Sequence, residues 1–375
     1  MRKKVLLIFG TRPEAIKMIP IFFQLKKYEH IDTRICITSQ HKEMLTSVLD
    51  FFGVEADYDL NVMHPNQTLS SLSALIITGL QSVVEKFEPH YMCVHGDTTT
   101  CFTSSLVGFY NKIKVCHVEA GLRTFNKYAP FPEEVNRQLV SKLATIHFSP
   151  TEEAKKNLER ENIKDTILVT GNTVIDALFR GLDIVQSHNY SNPEITFLKS
   201  IIKENHKIIL VTGHRRENFG QGFENICLAL KKIVANNPNV QIIYPVHLNP
   251  NVKNTVYKLL GDIDNINLIA PLSYPAFIWL MHTCSFIITD SGGVQEEAPS
   301  LGKPVIVMRD NTERPEALAA GTVFLAGTSV SKIFDLAHNL INDEALYKKV
   351  SGTNNPYGDG HASEIIVDFI VGDII

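Results

Sequence analysis

Short, continuous apolar runs rich in β-branched residues recur along this chain, each ending near Gly, Asp, His or Pro, with longer helix-like stretches between them. In the first half they fall at 5–10, 33–38, 91–97, 115–120, 145–150 and 166–171, and in the second at 207–213, 241–247, 266–271, 285–290, 304–309 and 322–327. A strand with one face in water alternates apolar and polar positions. These runs do not, so they predict strands covered on both faces. Their alternation with helices predicts parallel βαβ units, an α/β protein. Each half opens on a strand running into Gly-x-Arg, at Gly10-Thr11-Arg12 and Gly213-His214-Arg215. Two Rossmann-like domains of related plan follow from that repetition.

Open parallel sheets bind ligands outside the carboxyl ends of their strands. The polar residues gather there: Arg12, Asp97, Glu119, His214, His247 and Ser291 all follow or end an apolar run. Two such sheets facing one another would put both sets of loops around a central cleft. We expect the first domain at 1–171, joined by a C-terminal helix at 362–375, and the second at 172–361, with the polar stretch 186–192 as connecting chain.

Composition narrows the function classes. At 375 residues, 44% hydrophobic and 20% charged, the chain exceeds one ordinary core and has ample apolar material for two. A formal charge of -4 argues against a nucleic-acid binder working through a large basic surface. The six cysteines are scattered with no C-x-x-C pair, as buried thiols in a reducing compartment would be. The apolar run after Met1 is too short for a signal peptide, and no stretch is long enough to span a bilayer, so a cytoplasmic location is expected.

The candidate chemistry is anionic-ligand binding opposite a group of acids. Asp290-Ser291-Gly292-Gly293 follows an apolar run and precedes a helix expected near Gln295, an arrangement that lets backbone amides meet phosphate oxygens. Glu297 suits a ribose diol, or else stabilises the helix N-terminus. Gly213-His214-Arg215-Arg216-Glu217-Asn218 sets a histidine and two arginines at a strand end, fit for a pyrophosphate. Arg12 and Lys17 form a second basic cluster. Asp97, Glu119 and Glu133 are the candidate proton-transfer acids, whose mutual repulsion should raise at least one pKa. Taken alone, Glu133 equally suits a pair with Arg137 one turn on. There is no G-x-G-x-x-G after the first strand, no Walker A motif, no H-E-x-x-H and no paired-cysteine zinc pattern, so no cofactor and no metal are expected.

Taken together, Phe9-Gly10-Thr11-Arg12-Pro13-Glu14, Val94-His95-Gly96-Asp97-Thr98-Thr99, His117-Val118-Glu119-Ala120-Gly121-Leu122-Arg123, Pro132-Glu133-Glu134, Gly213 to Asn218 and Asp290-Ser291-Gly292-Gly293 resemble the non-hydrolysing UDP-N-acetylglucosamine 2-epimerases. The resemblance implies a fold like that of GT-B glycosyltransferases, usually a homodimer, and supply of N-acetylmannosamine units for capsule or other envelope polysaccharide. It implies anti elimination of UDP to 2-acetamidoglucal, then syn re-addition giving UDP-N-acetylmannosamine. By motif, Asp97, Glu119, Glu133 and His214 become catalytic candidates. Arg12, Lys17 and Arg215 would hold charge, Ser291, Gly292, Gly293 and Glu297 pyrophosphate and ribose, Leu272 and Phe277 uracil, and Arg314 the sugar. Gln40, His41 and Gln67 match the contacts of a second UDP-N-acetylglucosamine acting as activator in some members, although Asn66 stands where those members carry arginine. A hydrolysing 2-epimerase, a GT-B glycosyltransferase and a non-catalytic nucleotide-sugar sensor are the competing classes.

Overall fold

The computed structural model describes residues 2–374 apart from Gln40, His41, Pro65 and Glu313. The chain divides into two compact units, 1–180 with 357–375, and 181–356. The first unit runs β1 (Lys3–Phe9), α1 (Arg12–Leu25), β2 (Ile31–Ile37), α2 (Lys42–Phe52), β3 (Tyr58–Asp59), α3 (Leu69–Phe87), β4 (Tyr91–His95), α4 (Thr99–Tyr110), β5 (Lys114–Val118), α5 (Glu133–Leu143), β6 (Ile146–Ser149), α6 (Glu152–Arg160), β7 (Thr166–Val169) and most of α7 (Thr173–Gln186). The second holds α8 (Pro193–Ile201), β8 (Lys207–Thr212), α9 (Gln221–Asn236), β9 (Val240–Pro245), α10 (Pro250–Leu260), β10 (Ile266–Ile269), α11 (Tyr274–Thr283), β11 (Phe286–Thr289), α12 (Gly292–Glu297), β12 (Val305–Val307), α13 (Pro315–Ala320), β13 (Val323–Leu325), α14 (Val330–Asn342) and α15 (Glu344–Ser351). The last helix, α16 (Ala362–Ile374), belongs to the first unit.

Both sheets are wholly parallel. Their orders are β3-β2-β1-β4-β5-β6-β7 and β10-β9-β8-β11-β12-β13, so each unit has the Rossmann strand order. The order reverses between β1 and β4 and again between β8 and β11. At such a switch point the loops part and leave a crevice, and the loops that leave these four strands carry Arg12, Asp97, His214 and Ser291.

Every apolar run of the sequence overlaps a strand, which ends one or two residues before the run does. The Gly, Asp, His or Pro at the run's end leaves the hydrogen-bonded ladder and enters the loop. β3 was not expected: it is two residues long and lies at a sheet edge, too short to show a pattern. The doubly covered strands bury Leu6, Ile8, Cys36 and Met92 against Leu80, Val83, Val84 and Phe87 of α3 and Val107 of α4. In the second unit Ile209, Val211, Ile242, Tyr244 and Ile288 pack beneath Phe223, Ile226 and Leu230 of α9. Each such fully buried large side chain contributes roughly 1.5–3 kcal/mol relative to exposure.

The α4 helix is buried yet rich in hydroxyls. Thr98 caps it by accepting the Cys101 amide at 3.0 Å, and Thr103 and Ser105 donate to the carbonyls of Thr99 and Cys101 at 2.6 and 2.8 Å. Gly10 permits the close approach of these elements. A Cβ there would lie 2.1 Å from Thr38 Oγ1 and 2.6 Å from Thr100 Oγ1.

The division between units falls inside α7, not at 171 or within 186–192. The first half of that helix is held by the first unit: Asp176 accepts the Ser363 amide at 2.7 Å and the Ser363 hydroxyl at 2.5 Å, and Arg180 lies 3.5 Å from the Phe23 ring centre. Further along α16, Asp373 accepts from Tyr91 and Lys114 at 2.6 and 2.7 Å, and Phe369 meets Phe148 edge to face. The stretch 186–192 joins α7 to α8 within the second unit.

Candidate active site

In the first unit the acids sit where β4, β5 and α5 meet. Glu119 follows β5 in a left-handed conformation, φ 62°, and its buried carboxylate is paired with Lys17 of α1 and with His95 Nε2 at 2.9 Å. Asp97 follows β4, and its carboxylate pairs with Arg137 of α5. Asn136 donates to the Asp97 carbonyl at 2.9 Å, and His117 Nε2 meets the Gly96 carbonyl at 2.7 Å. The turn that carries Asp97 is therefore held from three sides. Glu133, at the first position of α5, is half-buried and has no ion-pair partner among the described residues. The pairing with Arg137 that its spacing allows is not made, because Arg137 reaches Asp97 on the neighbouring strand instead. Arg12 opens α1 and is half-buried.

The electrostatics differ from the sequence expectation. Burial by itself would raise the Glu119 carboxyl, but Lys17 first and His95 next hold it well below the usual carboxylate range. Glu119 is thus a fixed anion, and no repulsion from a neighbouring acid raises it. Burial does raise Glu14. Its carboxylate accepts from the Gly10 amide (3.0 Å), the Thr11 amide and hydroxyl (both 2.8 Å) and the Thr98 hydroxyl (2.6 Å). Glu14 thereby ties the loop after β1 to the loop after β4. Burial, and then the neighbouring His147, push His117 well below the usual imidazole range, so it is a neutral structural ring.

In the second unit the loops after β8 and β11 are joined by Asp290. This buried carboxylate accepts the His214 and Arg215 amides, both at 2.9 Å, and faces His214 Nδ1 at 3.2 Å. Burial alone would raise Asp290; the adjacent His214 side chain and the hydrogen bond from the Arg215 amide hold it below its ordinary value. His214 is 45% exposed and stacks on His247, ring centres 5.7 Å apart. The Arg215 Nε is buried without a partner among the described residues, a donor awaiting an acceptor.

Ser291 caps α12, which begins at Gly292, three residues before the expected start. Gly292 and Gly293 are therefore in its first turn, not in a preceding turn. Neither needs a glycine-only backbone, but a Cβ on Gly292 would lie 3.5 Å from the Arg314 guanidinium, so Arg314 lies against that turn. Arg314 Nε donates to the buried Glu296. Glu297, one turn into α12, is buried. Leu272 and Phe277, before and within the start of α11, are half-buried; Ser273 between them is held by Glu194 of α8. Gln40 and His41 lie outside the described residues. Gln67 donates to the Val62 carbonyl at 2.9 Å while its side-chain oxygen is buried without a partner among the described residues. Asn66 beside it is exposed.

Comparison with known proteins gives this arrangement a family. The family model described as UDP-N-acetylglucosamine 2-epimerase matches residues 24–371. The chain belongs to the UDP-N-acetylglucosamine 2-epimerase family. It is 52% identical over 366 residues, 97% of each chain, to the UDP-N-acetylglucosamine 2-epimerase of Escherichia coli K12. It is also similar to the UDP-GlcNAc 2-epimerase of Neisseria meningitidis bound to UDP-GlcNAc, with a TM-score of 0.87 at 49% identity, covering 98% of this chain and 100% of that one. A sucrose-phosphate synthase from Thermosynechococcus elongatus is 12% identical with a TM-score of 0.65 over 100% of this chain and 98% of that one, a likeness of fold alone, of the GT-B kind.

Among 2-epimerase residues that the sequence left unassigned are Glu14, Asn136, Arg137, Asp290 and Glu296, each of which holds a candidate site residue or its loop. One had a local signal: Thr11-x-x-Glu14 is the capping-box spacing, seen here as the Thr11 amide bonded to Glu14. The others act across the sheet, where spacing along the chain carries no information.

Proposed function

We propose that this protein interconverts UDP-N-acetylglucosamine and UDP-N-acetylmannosamine without hydrolysis. The observation that carries this reading is the division of labour between the two switch points. One gathers anionic and cationic side chains in charge-compensated pairs, and the other brings together the start of α12, the half-exposed His214 ring and an arginine whose buried Nε has no partner among the described residues. The former suits proton transfer at a sugar, and the latter suits a diphosphate. Family membership supports the same substrate, as does the UDP-GlcNAc bound to the Neisseria relative.

The hydrogen on carbon 2 of the sugar is not activated by a ring carbonyl, so its direct removal would leave a poorly stabilised carbanion. Anti elimination avoids this. A base among Asp97, Glu119 and Glu133 takes the proton, the C2–H electrons form the C1–C2 double bond, and the C1–O bond breaks with its electrons going to UDP. 2-Acetamidoglucal results. Syn re-addition then protonates carbon 2 from the opposite face while a phosphate oxygen of UDP re-forms the bond to carbon 1. The cycle has no net oxidation, so the chemistry calls for no electron carrier. Charge grows on the diphosphate as C1–O breaks, and His214, Arg215, Arg12 and Lys17 are assigned to meet it. Ser291, Gly292, Gly293 and Glu297 would hold pyrophosphate and ribose, Leu272 and Phe277 uracil, and Arg314 the sugar. On the family resemblance the protein works as a cytoplasmic homodimer, feeds capsule or other envelope polysaccharide synthesis, and takes a second UDP-N-acetylglucosamine as activator at Gln40, His41 and Gln67.

Turnover of UDP-N-acetylglucosamine in deuterated water tests the chemistry. Elimination and re-addition put deuterium on carbon 2 of the recovered nucleotide sugars, with UDP-N-acetylmannosamine as product. Interconversion without label in the ring, or stoichiometric free UDP with N-acetylmannosamine, overturns the proposal.

A further inference from the structure

We infer that Asp290 is a positioning residue that fixes the tautomer of His214, so that Nδ1 carries hydrogen toward the buried carboxylate and Nε2 is the nitrogen offered to the departing diphosphate. This inference rests on the proposed function for its chemistry, but its structural basis is independent. An ionised carboxylate can only accept hydrogen bonds. Asp290 Oδ2 is already engaged by the amides of His214 and Arg215 at 2.9 Å and lies 3.4 Å from Asn218 Nδ2. Oδ1 is buried with no hydrogen-bond partner among the described residues and lies 3.2 Å from His214 Nδ1, so a small turn of the ring would give this orphaned acceptor the Nδ1–H. Asp290 is fully buried while the His214 ring is nearly half exposed, so the carboxylate anchors the inner edge of the ring and leaves the outer edge to solvent or ligand.

The other ring in contact agrees. His247 Nδ1 accepts the Asn249 amide at 3.1 Å, which fixes the orientation of that ring. Stacked on His214 at an interplanar angle of 26°, it restrains the His214 ring in its plane. When His214 is an imidazolium, Nδ1–H stays on Asp290 and Nε2–H points to the phosphate oxygen that is losing carbon 1. The proton lent as C1–O breaks returns to Nε2 as the bond re-forms, so none is consumed. A carboxylate holding an imidazole in one tautomer is the arrangement that acyl-transfer triads use for the same purpose.

Asp290→Asn separates this role from simple loop anchoring. The amide oxygen still accepts the His214 and Arg215 N–H groups, while its NH2 faces Nδ1 and forces the hydrogen onto Nε2. We expect kcat to fall by roughly 100-fold or more, with KM and the dissociation constant for UDP changed little. Nitrogen-15 spectra of histidine-labelled protein, with His214 assigned by its loss in His214→Asn, should show Nδ1–H in the native protein and Nε2–H in Asp290→Asn. Native kcat in a folded Asp290→Asn, or a native His214 without hydrogen on Nδ1, overturns the inference; the native spectrum decides it even if the variant does not fold. Full turnover by His214→Asn would instead overturn the role given to His214 in the proposed function.

Discussion

At the scale of single residues, the decisive feature is which partner each charged group finds. Glu119 is held ionised by Lys17 and His95, its folded pKa lying below the ordinary 4.5. A carboxyl depressed in this way contributes stability that is present above its unfolded value and is lost as pH falls through the folded one. The stability difference between the native protein and Glu119→Gln should therefore be flat from pH 7 to about 5 and shift against the native protein below about 4.5. Urea unfolding at a series of pH values measures it, and a difference that does not change on acidification contradicts the charge state given to Glu119. These pairings were the least legible part of the sequence. Glu133 and Arg137 have ideal spacing for a pair along one helix, yet Arg137 bonds Asp97, forty positions away, because the turn after β4 comes up against α5. Local spacing fixes what can meet within a helix, and only the sheet order fixes what meets across it.

Among the elements, the strands could be read from the sequence because both of their faces are covered, which leaves an apolar run with no competing period. Helix starts were harder to read. α12 begins at the Ser291 cap and not near Gln295, since glycines lower helix propensity while Ser favours the cap, and the two signals overlap within a few residues. α16 was expected to join the first domain, but no sign in the sequence marked its anchor, Asp176, a buried acid on α7 raised by burial whose Oδ1 accepts from Ser363. Asp176→Ala leaves a buried amide and hydroxyl of Ser363 unpaired and should cost about 1–3 kcal/mol in denaturant unfolding. Faster hydrogen exchange should appear in α16 first. Asp176→Asn keeps an acceptor and sheds the cost of a buried charge, so it should lose clearly less. Equal losses in the two variants would show that the contact contributes only bulk.

For the whole molecule, the same strand order in both units sets a cluster of loops at the switch point of each sheet, and the proposed function assigns proton chemistry to one and a diphosphate to the other. Binding and turnover should therefore separate. Asp97→Asn, Glu119→Gln and Glu133→Gln should keep UDP-induced stabilisation, about 2.7 kcal/mol at one hundred times the dissociation constant. Turnover in the same variants should fall by roughly 10²–10⁴. Thermal shifts with UDP beside steady-state rates give both numbers, and near-native rates in all three variants would remove these acids from the mechanism. The polar motifs that end the apolar runs of both halves are legible in the sequence. What the sequence could not supply was the set of buried groups, Glu14 and Asp290 above all, that join one loop to the next.

The second unit is an uninterrupted segment, whereas the first is completed only by α16, after residue 356. Translation runs in one direction, so a nascent chain that has reached Pro356 carries every strand of both sheets but lacks the helix that covers part of the first. Ile366, Val367 and Ile370 fill that surface when they arrive. Until then part of the cover of the first-made unit is missing, so that unit closes only after the second has been made.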